Sequence, residues 1–175
     1  MSYSLYLYPF GAHRALDRES IRDYLMQIEF AELSMDSDTL TAGSMLMQHI
    51  TYMGCSPALT DAQSANEIHL HLFNQMTGLG GESIETLRYP GCKHPLTDPK
   101  SLLSHSAESR WSCSQCENTG MISDINWRKS AAYSDIFIEI SGIFPKEAIP
   151  SDQFIQSLMQ WSKSEWHWFY SSSSA

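Results

Sequence analysis

Two cysteines stand two residues apart, Cys113 and Cys116, in RWSCSQCENTG (residues 110–120). At this spacing one turn can aim both sulfurs at a single ion, while its backbone amides hydrogen-bond the charged thiolates. A structural metal takes about four protein ligands, so the rest of the set must come from elsewhere. The stretch YPGCKHP (89–95) supplies Cys92 and His94, and Pro90 with Gly91 predicts a turn there. Cys92, His94, Cys113 and Cys116 therefore form the leading metal set, and the soft sulfur donors point to Zn2+, about one ion per chain.

Twenty residues separate Cys92 from Cys113, a gap at the upper end of the range that paired zinc turns use. With Trp111 before the cysteine pair and Gly120 after it, residues 88–120 resemble a zinc ribbon. One departure is plain: the first pair is C-x-H, not C-x-x-C. Cys55 in YMGCSP and His105 both compete with His94 for the fourth position. A redox reading of the C-x-x-C fits less well, because the pair does not follow a strand and open an apolar helix.

A second constellation lies in EIHLHLF (67–73), where strict alternation puts His69 and His71 on one face of a strand. If a strand over residues 45–53 pairs beside it, His49 joins them. Three imidazoles with an open fourth position would suit a zinc-dependent hydrolase. Histidines on the polar face of a half-exposed strand are more often simple surface side chains. Cys55 as a nucleophile with His49 as its base is weaker still, since nothing visible lowers the thiol's pKa.

Charge divides the chain in the same place as the cysteines. The formal net charge is −9, with 42% hydrophobic and 18% charged residues, which suits a folded globular protein. Residues 1–85 carry three basic and eleven acidic groups, and residues 130–175 carry two and five. Residues 86–129 carry six basic and four acidic groups and hold three of the four cysteines. The acidic body repels nucleic acid and anionic membrane. Only the middle segment, where Arg88, Lys93, Arg110, Arg128 and Lys129 interleave with Tyr89, Trp111 and Trp127, keeps a nucleic-acid reading open. The sequence opens without a basic-then-apolar leader and has no apolar run of membrane-spanning length, so a cytoplasmic protein with reduced thiols is expected.

The elements that must position these residues follow from periodicity. Strands are predicted at 4–10, 30–35, 67–73, 135–144 and 165–172, and over 42–57, where a short helix is the alternative. Helices are predicted at 17–28, capped by Asp17, and at 150–163, capped by Ser151. GLGGES (78–83) reads as a glycine-rich connector. Strand, helix and strand recur at both ends of the chain. That order predicts a single α+β domain over 1–175: a ferredoxin-like two-layer sandwich with two helices on one face of the sheet, carrying a zinc-ribbon-like, metal-binding insertion over 86–129. The expected function is that of a small zinc-stabilised binding or accessory protein without catalysis of its own. A protein partner or self-association is expected, the aromatic stretch WSKSEWHWFY being one candidate surface.

Overall fold

The computed structural model describes residues 2–11, 15–34, 39–53, 66–82, 84 and 86–173. The fold is mixed α+β, built on an antiparallel six-stranded sheet, with four α-helices among the described residues. In chain order the elements are β1 (Ser2–Pro9), α1 (Arg18–Gln27), β2 (Ala31–Leu33), β3 (Leu40–Ala42), α2 (Leu46–His49), β4 (Ile50–Tyr52), β5 (Glu67–Gly80), α3 (Pro99–Leu102), β6 (Arg110–Ser112), β7 (Thr119–Met121), β8 (Ala131–Ser141), β9 (Ala148–Pro150), α4 (Asp152–Ser162) and β10 (Trp166–Ser173). The large sheet runs β10-β1-β8-β5-β3-β2, and β4 with β9 and β6 with β7 form two small ribbons. Among the described residues, no helix is long and apolar enough to cross a membrane.

Both main helices begin where the capping chemistry predicts. The Asp17 carboxylate accepts the Ser20 N–H at 2.7 Å, and the Ser151 hydroxyl accepts the Phe154 N–H at 3.2 Å. Each cap satisfies a donor that the first turn leaves unpaired. The helices bury Ile21 and Leu25 from α1 and Phe154 and Leu158 from α4 against Leu5, Leu7, Ile68, Ile138 and Ile140 of the sheet. The Tyr24 and Trp161 rings stack at 4.3 Å and tie the two helices together on that one face. Truncating a core side chain such as Phe154 to alanine costs about 3–5 kcal/mol.

The opposite face of the sheet is also covered at its centre. β5 and β8 are the longest strands, and their register slips between Leu72 and Thr77, as a bulge does when it bends a strand pair. Beyond the slip, Ala132 packs with Tyr6, Phe137 and Phe169 on the face away from the helices. The Tyr170 N–H donates to the Lys129 carbonyl, securing the far end of the hairpin to β10. β8 is therefore buried on both faces over residues 131–140.

Two expectations are corrected here. The strand predicted over 42–57 does not run beside 67–73 through residues 45–53: Leu46–His49 is one helical turn, Ile50–Tyr52 is extended but pairs with β9, and residues 54–57 lie outside the described residues. The i, i+4 spacing of Leu46 and Ile50 sends both into the helix-side core, and a helical turn satisfies that locally. The glycines of GLGGES do not begin a connector, since β5 continues to Gly80. Gly78 and Gly80 serve close approach instead: a Cβ at Gly78 would lie 2.5 Å from the Leu103 carbonyl oxygen, and one at Gly80 would lie 2.6 Å from that of Ser130.

Candidate metal centre

Gly80 faces Ala131 across the last rung of the β5–β8 pair, so residues 81–130 leave and re-enter the sheet at neighbouring points. They gather around an apolar cluster that includes Leu87, Leu96, Trp111, Ile122 and Trp127. Met76 and Tyr133 join this cluster to the base of the hairpin, and the Tyr133 hydroxyl donates to the Leu102 and His105 carbonyls.

Two turns at the edge of this cluster carry the four predicted ligands. In the first, Leu96 N–H bonds the Leu87 carbonyl at 2.8 Å and Tyr89 N–H bonds the His94 carbonyl at 2.9 Å. Gly91 and Lys93, both left-handed at φ 88° and 61°, flank Cys92 and curl the chain tightly. That curl is how a C-x-H pair presents both side chains to one point. At Gly91 it is the dihedral, not space, that calls for glycine, because a Cβ there would meet nothing closer than Asn118 Nδ2 at 3.9 Å.

The second turn closes the β6–β7 hairpin. Cys113 N–H donates to the Asn118 carbonyl and Glu117 N–H to the Cys113 carbonyl, both at 2.9 Å. Burial works against the Cys113 thiolate, but N–H groups of Gln115 and Cys116, with the neighbouring thiols, outweigh it and bring its pKa down to about 6. The Cys116 thiol moves the other way: the Asn118 N–H favours its thiolate, yet burial and the adjacent Cys92 and Cys113 prevail. One sulfur of a crowded group thus carries charge readily while the next resists it, as expected of like charges sharing a small site.

The two turns converge. One ligand atom each from Cys92, His94, Cys113 and Cys116 lies within 4.8 Å of the others, and Cys113 is buried while the other three are half-buried. Cys113 Sγ stands 3.6 Å from His94 Nδ1. Three sulfurs and one imidazole at this separation could hold a metal ion. Among the described residues, no other group of three or more His, Cys, Asp or Glu side chains is so placed.

The competing candidates fall elsewhere. His105 Nδ1 bonds the Ser101 carbonyl at 2.8 Å at the end of α3. Cys55 lies outside the described residues. The three-histidine set does not assemble: His49 Nε2 bonds the Ile28 carbonyl at 3.0 Å and its ring packs between Phe30 and Phe154 on the helix side. His69 and His71 project from the opposite face, His69 paired with Glu67 at 3.2 Å and His71 with Glu139 at 2.7 Å.

Glu139 is a polar centre that periodicity did not single out. Its buried carboxylate accepts the Ser4 hydroxyl at 2.6 Å and engages His71 and Tyr6. Burial opposes its charge, but those three partners overcome it and hold its pKa at about 2. The one signal in the sequence is a carboxylate in the otherwise apolar run IFIEI. Comparison with protein-family models, curated proteins and solved structures yields no match to this chain.

Proposed function

We propose that this chain is a small zinc-stabilised binding or accessory protein of the cytoplasm, without catalysis of its own. In this reading Cys92, His94, Cys113 and Cys116 hold one Zn2+, and residues 86–129 form a zinc-ribbon-like subdomain inserted in a ferredoxin-like frame. The observation that carries it is the convergence of the four ligand atoms. Zn–S bonds of about 2.3 Å and Zn–N bonds of about 2.0–2.1 Å at a tetrahedral angle separate sulfur from nitrogen by about 3.6 Å. The Cys113–His94 distance is that value. A Cys3His set is closed, with no position left for water or substrate, which is the pattern of a structural site.

The make-up of the segment supports this reading. The apolar cluster of residues 81–130 is small, and β6, β7 and α3 are each only three or four residues long. Such a segment gains much of its ordering free energy from coordination. The strand order 10-1-8-5 with α1 and α4 on one face supports the ferredoxin-like frame, to which β3 and β2 add an edge. A protein partner or self-association suits the accessory role. Elemental analysis of protein purified without chelator should give about one zinc per chain; metal-free protein with a native fold would end this reading.

A further inference from the structure

β10 is an edge of the large sheet, paired only with β1. Alternate residues of an antiparallel strand turn their N–H and C=O groups to opposite sides. The Tyr170 N–H points away from β1, to the Lys129 carbonyl at 3.3 Å, so Trp166, Trp168 and Ser172 turn theirs outward as well. Among the described residues, the Tyr170–Lys129 bond is the one backbone bond on that side. An edge with open donors and acceptors is a template for another strand. Charged side chains usually discourage such pairing, yet the β10 sequence WHWFYSSS carries no Lys, Arg, Asp or Glu.

The edge is covered instead by the ends of the 81–130 segment. Lys129 sets its backbone against Tyr170 and its Nζ 3.5 Å from the centroid of the Trp168 ring. At the other end Glu82 accepts the Ser171 hydroxyl, and the Gly81 N–H joins the two ends through the Ser130 carbonyl at 2.9 Å. Arg128 and Lys129 are both left-handed, at φ 51° and 60°, a conformation that is costly for residues with a Cβ. This cover is therefore held by what it touches, not by its own preference. One of its anchors lies beside the metal centre. Trp127 packs in the apolar cluster that holds Cys113, and its carbonyl takes the Ser130 N–H at 3.0 Å.

We infer that residues 128–130 are a zinc-dependent guard on β10, and that loss of the ion frees this edge to pair antiparallel with β10 of a second copy. The inference rests on the proposed zinc site and gives self-association a surface. A strand paired with its own copy about a two-fold axis is self-complementary and closes at a dimer. The incoming strand would run about 4.8 Å from β10, where the Lys129 backbone stands at Tyr170. Aromatic residues of the two strands would face one another, a favourable cross-strand pairing with no like charges opposed.

The test is sedimentation velocity of the full chain with zinc and after chelation, with residue-resolved amide exchange and metal content on the same samples. The zinc-loaded chain should sediment as a monomer and protect the Tyr170 N–H. Chelation should give a dimer at micromolar concentration, in which the Trp168 N–H exchanges about tenfold or more slowly than before. Ser172→Pro removes an outward donor without touching a bond to β1. That variant should stay monomeric when chelated, and its Tyr170 N–H should then exchange about tenfold or more faster as the Lys129 carbonyl withdraws. A dimer that Ser172→Pro still forms puts the contact elsewhere and overturns the inference. So does a chelated wild type that stays monomeric with Tyr170 protected, or a zinc-loaded chain that already pairs through β10. These failures leave the zinc site standing, because the starting sample carries its metal. A native chain that purifies without zinc sinks the metal reading itself, and the trigger with it.

Discussion

Gly120 lies directly against the indole of Trp111, its partner across the β6–β7 hairpin. A methyl group built on Gly120 would sit 2.6 Å from Trp111 Cζ2 and 2.9 Å from its Nε1. That nitrogen donates to the Met121 carbonyl at 2.9 Å, so the ring cannot swing away without breaking a bond. The Gly120→Ala variant should therefore lose about 1–3 kcal/mol in chemical denaturation and retain metal less well on dialysis. A neutral result would mean that the ring does not set the cysteine turn.

Removing one sulfur tests the coordination directly. Cys116→Ser should drop bound zinc from about one per chain to near zero at micromolar protein, because three ligands and a hydroxyl hold the ion far less well. Chelation of the wild type should loosen residues 81–130, seen as faster amide exchange there, while the paired core of β1 and β8 stays protected.

His69→Ala should leave metal content unchanged, since its imidazole faces Glu67 on the far side of the sheet from His49. Loss of zinc in that variant would revive the three-histidine centre.

Glu139 makes acid stability predictable. Its pKa is about 2 in the folded chain against an ordinary 4.5, so the folded state favours the ionised form. The stabilisation is complete above about pH 4.5 and drains away as pH falls toward 2. Denaturant titrations from pH 6 down to 3 should show a loss on the order of 2 kcal/mol in the wild type. The Glu139→Gln variant should lack that component, and an identical slope in both proteins would show the carboxylate to be inert.

Much of this arrangement was legible before any coordinates. α1 and α4 announce themselves because cap and apolar stripe are local properties, read within a dozen residues. The convergence of Cys92, His94, Cys113 and Cys116 was legible for a different reason: few residue types offer sulfur or imidazole, so their spacing is informative. What stayed hidden was non-local. Nothing around Ile50 states that it will pair with Pro150 rather than beside Glu67, and nothing around Gly78 states that the Leu103 backbone will press against it. Glu139 carries no local sign of its role because its partners, Ser4 and His71, come from two other strands.

The adjacency of Gly80 and Ala131 gives the molecule a modular seam. A cassette entered and left through one rung of a ladder can be lengthened, exchanged or deleted at the expense of a single reverse turn, while the sheet keeps its registry. The frame and the cassette can therefore change at different tempos, the first under the demands of packing and the second under those of whatever it meets.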